Sequence, residues 1–142
     1  MATRGIVRFA KREAGVSFNE HPEKIHTQIY HHYDSYPEHL GIGIAKFLSD
    51  IRVVNGLCSD LPDKIANGMG CLAAQLIVDM KDGPGSVYVE SPDSLRSWID
   101  YTYYIWAVDG KDIWISIFEG FGDPNENCIF VGKPEKLLEK YD

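Results

Sequence analysis

The sequence predicts an α+β domain of two layers, with a mainly antiparallel sheet, two central helices on one face and a short C-terminal helix. Strand-like segments come first, helical spacing follows between residues 40 and 80, and three or four strand-like segments complete the chain. Strands and helices that are grouped in this way, rather than alternating, are typical of α+β folds. The length of 142 residues and the 44% hydrophobic content suit one globular domain over residues 1–142.

The N-terminal segments predict two neighbouring strands. "GIVRFAKREAGVSF" alternates loosely up to Ala14-Gly15, and "KIHTQIYHHYD" is rich in β-branched and aromatic residues. The residues "NEHPE" between them favour a turn. We therefore expect a hairpin or an adjacent strand pair.

The middle of the chain predicts two amphipathic helices. The first runs from Leu40 to about Asn55-Gly56, because apolar residues recur every three or four positions. The second begins at "SDLPDK", where Asp60 or Ser59 can cap the free amides, and it ends at "KDGPGS". The predicted buried face of the second helix consists of Ile65, Met69, Leu72, Leu76 and Met80.

The C-terminal half is predicted to be mostly strands. "SVYVE" and "NCIFVG" are short strands, "SPDSLRSW" is a turn or a single helical turn, and "KPEKLLEKYD" is a closing helix that begins at Pro134. The clearest hairpin is "DYTYYIWAVDGKDIWISIFEG", with Asp109-Gly110 as a two-residue turn. That turn pairs Trp106 with Ile113, Tyr104 with Ile115, and Thr102 with Ile117.

Both faces of this hairpin are apolar or aromatic. In the predicted register one face consists of Tyr104, Trp106, Ile113, Ile115 and Ile117, and the other consists of Tyr101, Tyr103, Ile105, Trp114 and Phe118. Helices on one side of a sheet cover only one of these faces. The second face must therefore meet the C-terminal helix, a partner subunit or a ligand, which makes a homo-oligomer an open prediction.

Composition and charge narrow the function classes. No apolar run suits a signal peptide or a membrane span, and the three cysteines, Cys58, Cys71 and Cys128, lack metal-binding spacing. We therefore expect a cytoplasmic protein with reduced thiols and no membrane association. The net charge of -7 argues against nucleic acid as the partner. The one basic patch, formed by Arg4, Arg8, Lys11 and Arg12, is interpreted as a solvated edge strand.

The segment "IYHHYDSYPEHLG", residues 29–41, is the candidate functional segment. All five histidines fall within nineteen residues, at positions His21, His26, His31, His32 and His39. On a strand, His32 and Asp34 share one face, and His39 could return to them after the turn. A zinc or manganese site would need all three of these side chains. Neither an H-E-x-x-H nor a G-x-S-x-G motif is present.

Two glycines follow this segment in "LGIGIA". Gly41 and Gly43 are predicted to stand at a helix N-terminus, where free amides and the helix dipole favour an anion. The dinucleotide-binding pattern is incomplete because Lys46 occupies the position of its third glycine. Glycines that only permit a tight turn are the alternative interpretation.

The stretch "YHHYDSYPEHLG" resembles the motif Y-x-H-x-D-G-Y-P-x-x-L-G of small, mostly uncharacterised proteins of bacteriophages and related viruses. The matching positions are Tyr30, His32, Asp34, Tyr36, Pro37, Leu40 and Gly41, with Ser35 in place of the usual glycine. The resemblance implies a viral accessory protein that acts inside an infected bacterial cell. It implies no mechanism.

The leading hypothesis is a non-enzymatic binding or interaction module without a catalytic residue or cofactor. Its partner would be a protein or a small anionic ligand, and its predicted contact residues are Tyr30, His32, Asp34, Tyr36, Gly41 and Gly43. The alternative is a metal-dependent hydrolase or nuclease that holds zinc or manganese with His32, Asp34 and His39.

Overall fold

The chain forms a six-stranded sheet whose helices pack on one face. The structure is a computed structural model, which describes residues 2–11, 22, 24–49, 51–54, 56, 64–107, 113–121 and 127–142. The sheet consists of β1 (Gly5–Lys11), β2 (Thr27–His31), β5 (Val87–Glu90), β6 (Tyr101–Ala107), β7 (Ile113–Glu119) and β8 (Asn127–Gly132). Its strand order is β5-β2-β1-β6-β7-β8. The predicted α+β class is confirmed.

The remaining elements lie between and after these strands. A π-helical turn at Pro37–Gly41 leads directly into α1 (Ile42–Leu48), and α2 spans Gly68–Met80. The short strands β3 (Arg52–Val54) and β4 (Ile65–Asn67) form a separate parallel pair, and α3 (Pro134–Tyr141) is the last element. None of the helices in the described part of the chain has the length and apolar character that crossing a membrane requires.

One pairing departs from the antiparallel pattern of the described sheet. β1 lies antiparallel to β2 on one side but parallel to β6 on the other. Because β5 and β6 are separated by β2 and β1, the chain between them must cross those two strands. Residues 91–100 make this connection and are called the crossing segment below.

The core lies between the three helices and one face of the sheet, called the inner face. It contains alternate residues of neighbouring strands, such as Val7, Ile29 and Ile105, which are fully buried. The helices contribute the residues Ile44 and Leu48 of α1, Leu72 and Leu76 of α2, and Leu137 of α3.

The opposite, outer face has a second apolar cluster. Tyr104, Trp106 and Phe118 are at most 3% exposed there, and the indole nitrogen of Trp106 donates to Ser116 Oγ at 2.8 Å. α3 packs against α1 and the inner face, so the predicted option that the C-terminal helix covers this face is wrong. Since this cluster is already buried within one chain, it supplies no reason for a second subunit. Homo-oligomerisation stays a prediction.

The register of the β6–β7 hairpin differs by one residue from the predicted one. Trp106 pairs with Trp114, Tyr104 with Ser116, and Thr102 with Phe118. The predicted turn Asp109-Gly110 lies outside the described residues. A slip of one residue exchanges the faces of a strand, so Ile113, Ile115 and Ile117 belong to the inner face and not with Tyr104 and Trp106. This register places every isoleucine of β7 beneath the helices.

The first predicted helix is wrong at its C-terminal end. It ends at Leu48 instead of Asn55-Gly56, because the β-branched residues Val53 and Val54 pair with β4. The second helix begins at Gly68, so the predicted face residue Ile65 belongs to β4. The proposed caps Ser59 and Asp60 lie outside the described residues. Met69, Leu72 and Leu76 are buried as predicted, and Met80 is partly buried.

Candidate functional site

The predicted functional segment is divided between the two faces of the sheet. Because side chains alternate along β2, Ile29 and His31 point to the inner face, whereas Tyr30 and His32 lie on the outer face. Asp34 then reverses the chain with a φ of +52°, a conformation that aspartate tolerates better than most residues. Some side chains of this segment therefore face the core, and others face the outer surface of the sheet.

The inward part of the bend is fixed by Ser35, which is fully buried. Its amide donates to the carbonyl of Thr3 at 3.1 Å, and its hydroxyl donates to the carbonyl of His31 at 3.1 Å. Its carbonyl accepts a 2.6 Å hydrogen bond from the hydroxyl of Tyr103, whose pKa is raised by burial. A Cβ atom on Gly5 would lie 2.7 Å from Ser35 Cβ, so glycine is needed where β1 passes the bend.

The glycines predicted to bind an anion lie within the helical run. That run begins at Pro37, and the amide of Ile42 already donates to the carbonyl of Pro37. Gly41 and Gly43 therefore lie where α1 begins, as predicted, but the amide of Ile42 between them is already used within the run. Gly41 is buried against the side chains of Tyr103 and Leu137, while Gly43 faces open space.

The histidines of the segment also lie in different environments. His31 is half-buried beside Ser35, and burial, followed by the nearby His39, lowers the pKa of His31 to about 4. The ring of His39 is exposed and lies 5.9 Å from the ring of Tyr36. Among the described residues, no three His, Cys, Asp or Glu side chains converge on a point that could hold a metal ion. His32, Asp34 and His39 are therefore not brought together as a metal group.

The outer face has a cleft of about 490 Å³ beside β2 and β5. The residues that line it are Arg4, Tyr30, His32, Tyr33, Pro84, Gly85, Ser86, Tyr88 and Arg96. Two of them are arginines and none is a carboxylate, although the chain as a whole carries a net charge of -7. Of the predicted contact residues, the cleft contains Tyr30 and His32, while Asp34, Tyr36, Gly41 and Gly43 do not line it.

Aromatic rings form the floor and rim of the cleft. Tyr30 pairs with Tyr88 across β2 and β5, and their ring centroids are 5.9 Å apart. The ring of His32 lies 5.7 Å from Tyr30 and 4.5 Å from Tyr33, edge to face in both cases. Tyr30 is buried, whereas Tyr33 and Tyr88 are 54% and 47% exposed. Two aromatic side chains are thus presented to whatever occupies the cleft.

Arg96 reaches the cleft from the crossing segment. Its guanidinium carbon lies 3.8 Å from the centroid of the Tyr30 ring, and its Nε donates to Glu90. Within the described part of the chain, the two terminal nitrogens of Arg96 have no hydrogen-bond partner. The same holds for the guanidinium of Arg4, whose backbone amide alone donates to Asp100 at 2.9 Å. The Arg4 guanidinium and the terminal nitrogens of Arg96, whose charge is partly balanced by its ion pair with Glu90, are available to an anion.

A buried polar network holds Arg96 in this position. The side chain of Gln28 is fully buried, and its amide nitrogen donates to Glu90 Oε1 and to the carbonyl of Ser94, each at 3.1 Å. The Gln28 oxygen accepts from Arg8 Nε at 2.8 Å, and Arg8 also donates to the carbonyl of Pro92. The network fastens the crossing segment to the sheet, so the orientation of Arg96 is set before a ligand arrives.

His32 supplies a further donor. Its Nδ1 lies 2.6 Å from the hydroxyl of Tyr30, and its backbone amide donates to the carbonyl of Ser86 at 2.9 Å. When the tyrosine hydroxyl donates to Nδ1, the hydrogen of the neutral ring is on Nε2 and can be donated to a ligand. Ser86 has a φ of +65°, a strained conformation for a residue with a side chain.

The predicted contact residues omitted seven of the nine residues that line the cleft: Arg4, Tyr33, Pro84, Gly85, Ser86, Tyr88 and Arg96. Arg4 was assigned to a solvated edge strand, but β1 lies in the interior of the sheet, between β2 and β6. Arg96 follows β5 in a segment without periodicity, and only the strand order brings it over Tyr30. The alternation of Tyr88 with apolar neighbours in "SVYVE" was the one local signal available for β5.

The sequence matches no known protein-family model, and comparison with curated proteins and with solved structures finds no similar chain.

Proposed function

We propose that the protein is a non-enzymatic binding module that takes up a small anionic ligand in the outer-face cleft. The observation that carries the proposal is the state of Arg96, which is held by Tyr30 and Glu90 while its terminal nitrogens are unused within the described residues. A planar guanidinium of this kind binds phosphate or carboxylate oxygens in pairs. Arg4 lines the same cleft and adds a second positive charge.

The composition of the lining supports binding rather than catalysis. The nine lining residues include no cysteine, aspartate or glutamate, and their one histidine has its Nδ1 atom bonded to the Tyr30 hydroxyl. Nucleophilic catalysis usually needs a nucleophile beside a base that is itself oriented by a third group. A module that captures a small ligand also agrees with the viral accessory role that the motif resemblance implies.

The cleft also agrees with the size and setting of small-molecule sites. Such sites usually occupy about 300–1,000 Å³ and combine a few polar groups with apolar or aromatic walls. Here the walls are tyrosines and the polar groups are arginine, histidine and serine side chains. Because the supporting network is already formed, little ordering is required when a ligand binds.

The test is a calorimetric titration with inorganic pyrophosphate. Arg96→Gln and, separately, Arg4→Gln should each weaken binding roughly 10- to 100-fold, since a charge-assisted hydrogen bond contributes about 1.5–3 kcal/mol. Arg52→Gln is the matched control, because Arg52 is an exposed cation on β3 and does not line the cleft.

Two outcomes would overturn the proposal. One is a wild-type protein that does not bind pyrophosphate or any other small anion, including citrate. The other is an equal loss of affinity in Arg52→Gln, which would indicate nonspecific attraction to surface charge. Thermal unfolding of each variant shows whether the fold is retained.

A further inference from the structure

We infer that the anion bound in the cleft is the phosphate of a nucleotide, whose base stacks on Tyr88 or Tyr33. This inference rests on the proposed function, because it names the class of ligand for the same cleft. It depends on a second feature of the cleft that phosphate binding alone does not explain, namely the exposed aromatic rim.

Two rim side chains expose much of their aromatic surface. Tyr33 is 54% exposed and Tyr88 is 47% exposed, and both line the cleft that contains Arg4 and Arg96. Exposed aromatic rings beside basic groups are typical of sites where bases stack. An inorganic anion or an aliphatic carboxylate would leave both ring faces in water.

The rim around Tyr88 is held in place. Lys81 Nζ donates to the carbonyls of Gly85 and Val87 at 2.6 and 2.9 Å, and it lies 5.6 Å from the centroid of the Tyr88 ring. This lysine thereby ties the end of α2 to the start of β5. The Tyr88 ring thus has a cation beside it and still lines the cleft with 47% of its surface exposed.

The distances within the sheet suit a phosphate joined to a base. Arg96 lies over Tyr30, and Tyr30 pairs with Tyr88 on the neighbouring strand. Neighbouring strands are about 4.8 Å apart, so a phosphate on Arg96 leaves a linked ring within reach of Tyr88. His32, between Tyr30 and Tyr33, can donate its Nε2 hydrogen to a phosphate or sugar oxygen.

Size and charge favour a single nucleotide over a nucleic-acid strand. The cleft volume of about 490 Å³ is that of a small-molecule site. A strand would also extend along the protein surface, and a chain of net charge -7 repels such a polyanion.

The experiment compares AMP, ribose 5-phosphate, adenosine and inorganic pyrophosphate by calorimetry on the full chain. AMP should bind at least about tenfold more tightly than ribose 5-phosphate, because only AMP has an aromatic base that can stack. AMP should also exceed adenosine, which lacks the phosphate. In Tyr88→Leu or in Tyr33→Leu, according to which ring stacks on the base, AMP affinity should fall roughly tenfold or more while pyrophosphate affinity is unchanged. Tyr36→Leu is the matched control, because Tyr36 lies off the cleft.

The outcomes separate this inference from the proposed function. Equal affinities for AMP and ribose 5-phosphate, or an unchanged AMP affinity in both Tyr88→Leu and Tyr33→Leu, would overturn the nucleotide assignment and leave anion binding intact. Absence of binding by all probes would overturn both. A twelve-nucleotide oligodeoxythymidylate that bound more than tenfold more tightly than AMP would also overturn the inference. That result would indicate single-stranded nucleic acid as the ligand.

Discussion

The two faces of the sheet are built from the same strands but have different roles. On the inner face, aliphatic residues such as Ile105 and Ile115 are fully buried beneath the helices. The outer face has three regions: the buried cluster around Trp106, the polar network of Gln28, and the open cleft at Tyr30. Because each strand alternates between the faces, one sheet provides both a core and a recognition surface. Substitutions should therefore separate stability from binding according to the face they alter.

The largest expected effect is on the inner face. Ile105→Ala should reduce the free energy of unfolding by about 2–5 kcal/mol, because it leaves a cavity in a fully buried position. Val89→Ala, at a 64% exposed position of β5, should change it by less than about 0.5 kcal/mol. Urea denaturation measures both values, and similar losses in the two variants would contradict the assignment of the core.

A smaller effect is expected where the functional segment meets the core. Tyr103→Phe removes the 2.6 Å hydrogen bond to the carbonyl of Ser35 and should cost about 1–3 kcal/mol, since the acceptor is buried. Tyr33→Phe removes an exposed hydroxyl and should be nearly neutral in stability. If the two variants unfold at the same urea concentration, Tyr103 does not anchor the bend.

The smallest effect concerns the pH dependence of stability and depends on His31. The pKa of His31 is lowered to about 4 in the folded protein, against 6.5 for an ordinary histidine. Above pH 6.5 the residue is neutral in both states and contributes no pH dependence. Between about pH 6.5 and 4 the unfolded chain takes up the proton first, so stability falls as the pH falls.

His31→Gln should therefore lose less stability than the wild type between pH 7 and pH 5, as measured by urea denaturation at each pH. Val89→Ala, which removes no titratable group, is the control and should follow the wild type. If the free energy of unfolding of His31→Gln fell with pH as steeply as that of the wild type, His31 would not be the cause of the acid sensitivity.

Local patterns predicted the elements better than their arrangement. "NCIFVG" and the helix beginning at Pro134 correspond to β8 and α3, because strand composition and a proline at the first helical position are local signals. The hairpin register was missed by one residue, since apolar residues on both faces removed the alternation that fixes register. Val54 was assigned to a helix because its spacing fitted, while its strand partner Asn67 is distant in sequence.

The candidate site was predictable only in part, because its residues come from segments that are distant in sequence. Tyr30 lies in β2 and His32 directly follows that strand, so both could be placed on one face from the sequence. Arg4, Tyr88 and Arg96 come from three other segments, and they meet Tyr30 only through the strand order and the crossing segment. No spacing rule relates residues that are brought together by topology alone.

The parallel pairing of β1 with β6 also governs how the chain can assemble during synthesis. Contacts at this pairing join residues 96 positions apart, as between Arg4 and Asp100. At typical translation rates the second partner follows the first by about 5–20 s. During that interval β1 has a free backbone edge, and its apolar side chains Val7 and Phe9 lack their final neighbours. A nascent chain halted before β6 would therefore expose a strand prone to aggregation, and chaperone protection of the N-terminal region should matter most in that period.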